Sequence, residues 1–382
     1  MKAEYVSRLE DLNELTPIER AGLEEVSDRF QFLANKYYLS LVDWQDPDDP
    51  IRRIVVPCRE ELDDWGKLDA SGEETYTVMP GLQHKYNSTA LLLVSNACAG
   101  ICRYCFRKRI FIGDPVEAVS DLEQAFRYIG QHREITNVLL TGGDPLMLPT
   151  SRLEEIIVRL RGIDHVRAIR IGTRMLPYDP FRILDDPPLV DMIERHSTQN
   201  KAIYVVSHFC HPRELTEFAK KAVFRLRSAG ALVLNQTPIL RGINDDPETL
   251  ATLFNLLVSV GSAPYYVFQC RPALGNKPYA VPLEEAYVTF ERAKSLVSGL
   301  AKRIRYVMSH FTGKIEIVGR TKEYTYFKYH RAARDEMSGR FMVFKRNPEA
   351  FWFDDYHEMV DSYQIAGDWE TEPDQTECTA AG

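Results

Sequence analysis

Three cysteines, Cys98, Cys102 and Cys105, fall inside the segment "SNACAGICRYCFRKRIF" at residues 95–111. Thiolates spaced this closely can ligate three irons of a four-iron, four-sulfur cluster and leave the fourth iron without a protein ligand. An open iron can take a substrate group, which separates a catalytic cluster from an electron carrier held by four cysteines. Two plainer readings compete. Structural zinc uses the same residue type, but it needs a fourth ligand and usually a paired half-site, and no such half-site stands nearby. Inert buried thiols are common as well, although chance rarely spaces three of them at i, i+4 and i+7.

The elements that must position this loop are visible on either side of it. Short aliphatic runs, "ALLLVS", "TNVLLTG", "VRAIRIGT", "AIYVVSH", "ALVLNQT" and "PYYVFQC", read as buried parallel strands. Between them lie stretches such as "SRLEEIIVRLRGI" and "RELTEFAKKAVFRLRSAG", with apolar residues three and four apart. Six strand–helix units in succession predict an α/β fold, a partial parallel (β/α)6 barrel. A doubly wound open sheet is the rival, and its glycine-rich nucleotide fingerprint is missing after the first strand. The cysteines follow that first strand, in the kind of loop that builds the active site of a parallel barrel.

The flanks divide the chain further. Residues 1–89 predict a helical and loop wrap, residues 90–303 the barrel, residues 304–366 a small strand-rich C-terminal appendage, and residues 367–382 a disordered polar tail. In the wrap, "LTPIERAGLEEVSDRFQF" predicts a helix capped by Thr16, with Pro17 in its first turn and Glu19 as the capping-box acid. The Pro- and Asp-rich "DWQDPDDPIRRIVVP" predicts loop.

Composition narrows the function. A hydrophobic content of 45% with 27% charged residues is that of an ordinary globular chain, and a net charge of −8 offers no basic footprint for nucleic acid. No apolar run reaches the ~20 residues of a membrane helix. Seven cysteines, odd in number and clustered, argue against a disulfide framework and for reduced thiols in the cytoplasm.

The cysteine pattern, with Tyr104 before the third thiol, resembles the signature of radical S-adenosylmethionine enzymes. More narrowly the chain resembles the lysine 2,3-aminomutase family, in the segments "YYLSLVDWQDPDDPIRRIVVP", "CAGICRYCFRKRIF", "VLLTGGDPLML", "AIRIGTRMLPYDPFRI", "SHFCHPREL", "LNQTPILRGINDD" and "PYYVFQCRPALGNKPYAVPL". The resemblance implies that Cys98, Cys102 and Cys105 hold a [4Fe-4S] cluster, whose open iron takes the methionyl amino and carboxylate groups of S-adenosylmethionine. Gly142, Gly143 and Asp144 would form the edge against which the methionyl amine sits. Tyr104, Arg174, His208 and Gln236 would be further cofactor contacts. Reductive cleavage of the sulfonium would give a 5′-deoxyadenosyl radical, with the electron drawn from a donor of flavodoxin or ferredoxin type. In the family, the nitrogen migrates between adjacent carbons while it is carried on pyridoxal 5′-phosphate.

The resemblance implies Lys314 in "SHFTGKIEIVG" as the lysine for pyridoxal phosphate, although the family's glycine run is reduced to Gly313. On the phosphate side the family's arginine–tyrosine pair is replaced by Lys85 and Tyr86, with Thr89 where a further arginine stands. Arg107 matches an arginine that pairs with the substrate α-carboxylate. Where lysine-specific members present two aspartates to the distal ammonium, this chain has Arg271 and Ser309, a reversal of charge that disfavours a lysine side chain. The expected activity is therefore 2,3-amino migration on an acidic or neutral polar α-amino acid. Two alternatives stay open: a radical enzyme that works without pyridoxal phosphate, by elimination, epimerisation or oxidation, and a non-catalytic iron–sulfur or zinc redox module. The family's C-terminal cysteines, used in metal-linked assembly, reduce here to Cys378, so a homo-oligomer is left open.

Overall fold

The computed structural model describes residues 4–112 and 117–364. The tail expected to be disordered, residues 367–382 with Cys378, lies wholly outside them. A two-stranded antiparallel ladder joins β1 (Tyr5–Val6) to β2 (Ala34–Asn35). All other described strands form one 13-stranded sheet in sequence order. It starts with β3 (Thr77–Met79), β4 (Leu82–Tyr86), β5 (Thr89–Ser95), β6 (Asn137–Gly142), β7 (Ala168–Gly172), β8 (Ile203–Ser207), β9 (Leu232–Ile239) and β10 (Ala263–Gln269). It continues with β11 (Arg305–His310), β12 (Gly313–Arg320), β13 (Tyr324–Ala332), β14 (Phe341–Lys345) and β15 (Met359–Tyr363).

Strands β5 to β10 are parallel and helices lie between them, as the six strand–helix units predict. The structure adds a seventh. β11, assigned from sequence to the appendage, pairs in parallel with β10, and only beyond it does the sheet turn antiparallel. The strands of the appendage also share their core with the last barrel units: Phe327 and Trp352 pack in one cluster with Phe254, Phe290 and Val267.

The sheet curls until its two flanks meet through side chains. Lys85 of β4 donates to the carbonyl oxygen of His310 in β11. Arg331 of β13 donates to Ser88 Oγ (2.7 Å) and Thr89 Oγ1 (3.0 Å) at the start of β5. Along the parallel strands one face is fully apolar: Val138, Leu140, Ile169, Ile171, Ile203 and Val205 are at most 1% exposed. The other set, including Thr141, Arg170 and Gln236, is half-buried and lines a lumen. Period-two alternation puts these two chemistries on opposite faces.

The wrap forms as its local signals require in one place and departs from them in another. Helix Pro17–Arg29 carries the predicted capping box, with Glu19 N donating to Thr16 Oγ1 and Thr16 N to Glu19 Oε2. The expected loop at residues 43–57 instead holds helix Pro50–Val55. Asp49 caps it by accepting from Arg52 N at 2.8 Å, and Pro50 supplies the fixed φ of the first turn.

Candidate active site

The loop after β5 carries the three cysteines, and several of its anchors come from the wrap. Ile101 N donates to Leu33 O (2.8 Å), and Arg103 N to Ile54 O (2.9 Å). The Arg103 side chain is fully buried and forks onto Glu61 at 3.0 and 2.8 Å. Glu61 also accepts from Lys108 (3.2 Å) and the Tyr279 hydroxyl (3.1 Å). Two cations therefore converge on one buried carboxylate, which stays ionised below its usual range despite burial.

The thiols sit close enough to feel one another. Burial, Asp144 and the other two thiols push Cys98 well above its ordinary range, and burial with Cys102 pushes Cys105 up to about 11. The Tyr178 hydroxyl points at Cys102 Sγ from 3.1 Å. Three crowded thiols in a site that disfavours extra negative charge suit a cationic iron cluster, which would supply the missing positive charge.

The glycine edge lies directly against this loop. Gly142 has φ +116°, and Gly143 N donates to Ser95 O (2.6 Å) while Asp144 N donates to Ala97 O (2.7 Å). A Cβ on Gly143 would collide with the Ala97 backbone, so only glycine permits this approach. The Asp144 side chain is also held by the fold. That carboxylate already accepts from Thr173 Oγ1 (2.8 Å), Arg174 N (2.7 Å) and Leu146 N (2.9 Å), tying β6 to the turn after β7.

Arg174, Tyr104 and His208 meet in one buried network. Arg174 donates to Glu214 (2.6 Å) and to the Tyr104 hydroxyl, and Glu214 also takes the Tyr38 hydroxyl at 2.6 Å. His208 Nε2 lies 3.3 Å from the Tyr104 hydroxyl, and burial together with Arg174 keeps its ring neutral. Arg174 is thus committed to its protein partners, with Nε left unpaired. Gln236 stands on the lumen wall with no side-chain partner among the described residues.

The opposite side of the lumen is cationic. Lys314 of β12 lies 3.9 Å from the Tyr266 ring centroid and 5.1 Å from that of Phe268. Its amine has no hydrogen-bond partner among the described residues. Burial and then Arg170, Arg331, Arg271 and Lys85 drive its pKa well below the ordinary lysine range. Ser309 is its register partner on β11. Burial and Arg271 lower Lys85 to about 7. Tyr86 lies under the Arg331 guanidinium, 4.3 Å from ring centroid to Cζ. Arg271 stacks on Phe106 at 3.7 Å, its Nη1 is buried without a partner, and burial lowers it to about 10. Arg271 makes no salt bridge with an acid among the described residues.

Arg107 joins the two sides. It donates to Thr141 Oγ1 (3.1 Å) beside the glycine edge and forks onto Glu73 at 3.1 and 2.8 Å. Glu73 is shared with Arg109, and these cations hold it far below the usual carboxylate range. The sequence reading missed Glu73, Arg170 and Arg331. Arg331 reaches the site only because β13 sets it opposite Lys314, a register that no local pattern encodes.

Residues 92–254 match the family model of the radical SAM superfamily. A protein of Aquifex aeolicus named "Putative L-lysine 2,3-aminomutase" is 54% identical over 364 residues, covering 95% of this chain and 97% of its own. The L-lysine 2,3-aminomutase of Acetoanaerobium sticklandii is 35% identical over 302 residues (78% of this chain, 71% of that one). The glutamate 2,3-aminomutase of Clostridioides difficile is 34% identical over 299 residues (78% and 69%). No helix of the described residues is long and apolar enough to cross a membrane. Cysteine loop, glycine edge and barrel thus agree with likeness over nearly the whole chain: the protein is an enzyme of the lysine 2,3-aminomutase family within the radical SAM superfamily, a membership that implies a [4Fe-4S] cluster and S-adenosylmethionine.

Proposed function

We propose that the enzyme moves the α-amino group of an acidic or neutral polar amino acid to the adjacent carbon, using pyridoxal 5′-phosphate held at Lys314. The carrying observation is Lys314 itself, an amine without a hydrogen-bond partner in a lumen ringed by Lys85, Arg170, Arg271 and Arg331. Burial first, and then the neighbouring cations, disfavour its ammonium form, which favours the lone pair needed to attack a carbonyl carbon.

The same cations fit an anionic cofactor. Lys85 and Arg331, with Tyr86 between them, would hold the phosphate, and a dianion there would return the proton that burial takes from Lys85. Bound cofactors supply the adenosyl radical and an electron-accepting ring for the migrating nitrogen. The chain's own part is to bind, orient and exclude. Cys98, Cys102 and Cys105 hold the cluster, and the Gly142–Gly143 backbone offers a close edge to the methionyl group. Arg107, held in the plane set by Glu73 and Thr141, keeps donors for the substrate α-carboxylate.

Substrate choice follows from charge. Identity does not discriminate, since relatives named for lysine and for glutamate match almost equally. Arg271 does: its unpartnered Nη1 favours a carboxylate or amide oxygen and repels an ammonium. The test is to incubate anaerobically reconstituted enzyme with pyridoxal phosphate, reduce it with borohydride and map the peptides. Pyridoxyl label on Lys314 is expected, as is β-amino acid formed from glutamate or a neutral polar amino acid in preference to lysine. Enzyme that cleaves S-adenosylmethionine yet carries no labelled lysine would overturn the pyridoxal reading and leave a radical reaction of another kind. Labelled enzyme that prefers lysine would overturn only the substrate.

A further inference from the structure

Outside the lumen, on the far side of β4, two histidines and a glutamate converge. His84 lies on β4, one residue before Lys85. His132 caps the C-terminus of helix Leu122–Gln131, and Glu134 follows two residues later. One donor atom from each of the three lies within 4.8 Å of the other two. The hydrogen bonds around them fix which atoms are free. His84 Nε2 lies 2.9 Å from the carbonyl oxygen of Asn87, which can only accept, so Nε2 carries the proton. Nδ1 keeps its lone pair and accepts from the Tyr128 hydroxyl at 3.0 Å. Metal-ligating histidines donate one ring N–H to a backbone carbonyl in this way, and Nδ1 would coordinate in place of its bond to the Tyr128 hydroxyl.

The second histidine is prepared in a similar way. His132 Nδ1 lies 2.8 Å from Glu134 Oε1, as in a carboxylate–histidine pair. Tyr128 stacks on the His132 ring at 4.0 Å and meets His84 edge-on at 5.9 Å, so both imidazoles are oriented. Bonds of about 2.0–2.2 Å to nitrogen and oxygen place tetrahedral ligand atoms about 3.3 Å apart. The three groups would draw in from a spacing of up to 4.8 Å, with Glu134, whose side chain is 38% exposed, exchanging its bond to His132 for one to the ion.

We propose that His84, His132 and Glu134 bind a divalent cation of the zinc type, with water completing the coordination. Two imidazoles and one carboxylate, with no thiolate, suit that class. The ion would clamp β4 to the helix behind it. β4 pairs with both β3 and β5, but its ladder to β5 shifts register between Gln83 and Tyr86, the stretch that holds His84 and Lys85. It also carries Lys85 and Tyr86 into the lumen, so the clamp would fix the cationic side of the cavity from outside. The site does not depend on the reaction proposed above.

The test uses full-length protein with its iron–sulfur cluster reconstituted, so that the three cysteines are occupied. After chelator treatment, zinc is titrated against a chromophoric competitor and cobalt is added as a spectroscopic probe. We expect one zinc equivalent in the wild type, lost in both His84→Gln and His132→Gln and weakened at least tenfold in Glu134→Gln. Cobalt should show d–d bands without thiolate charge transfer. Retained cluster absorbance in the variants shows that they are folded. No zinc beyond the cluster in the wild type, unchanged binding in both histidine variants, or a thiolate band with cobalt would each overturn the proposal.

Discussion

The two sides of the lumen solve opposite electrostatic problems. On the cysteine side every buried charge has a partner: Arg103 and Lys108 share Glu61, and Arg174 has Glu214. On the Lys314 side the cations face one another, and Arg271 keeps a buried donor unpaired. The first arrangement pairs its ionic side chains with one another and serves to hold a loop in place. The second is costly until an anion arrives, so binding and charge relief become one process. Opposite charges that pair with each other mark the scaffold around the cysteine loop, and like charges that face each other mark a wall suited to an anion.

The sharpest break of that contrast is a pair of substitutions. Cys102→Ala should abolish cluster absorbance and S-adenosylmethionine cleavage together. Lys314→Ala should keep both and lose product formation completely, as read by amino-acid analysis after single-turnover reduction. If Lys314→Ala also loses the cluster, the two sides are not separable. Next in size is Glu61→Ala, which strands Arg103 and Lys108 in the interior. It should cost about 3–5 kcal/mol in denaturant unfolding. Arg271→Met on the other side should be neutral or stabilising in the same assay. Gly143→Ala forces a methyl group against the Ala97 backbone and should cost about 1–3 kcal/mol, with slower cluster reconstitution.

The smallest effect is one of pH. Lys85 titrates near 7 in the folded protein and near its ordinary value when unfolded. Between those values the unfolded chain binds more protons, so stability should rise with pH. The slope should be at most about 1.4 kcal/mol per pH unit for this group, flatter in Lys85→Met, and flatter again in wild type with saturating inorganic phosphate. A slope that phosphate leaves unchanged would remove Lys85 from the anion site.

What the sequence discloses divides along the same line. The cysteine loop, the glycine edge and the capping box of helix Pro17–Arg29 are local patterns, and each is readable because its partners lie within a few residues. The network under Arg174 and the ring around Lys314 are assembled from strands far apart in the chain. Lys314 reads from sequence as a lysine beside a strand, and nothing local reports its desolvation. Asp144 is similar: its type is plain in the sequence, but its bonds to Thr173 and Arg174, about thirty residues on, are not. The seventh parallel strand was hidden because β11 is followed by hairpins, which gave the whole C-terminal stretch an antiparallel character.

The curled sheet has one further consequence. Its flanks meet at Lys85 with His310 and at Arg331 with Ser88 and Thr89, through side chains rather than a strand ladder. The wall is therefore mechanically weakest along that seam. On the reading proposed above, Lys85 and Arg331 are also the grip on the anionic cofactor. Parting the seam and releasing the cofactor are then a single event, and a loaded barrel is a fastened one.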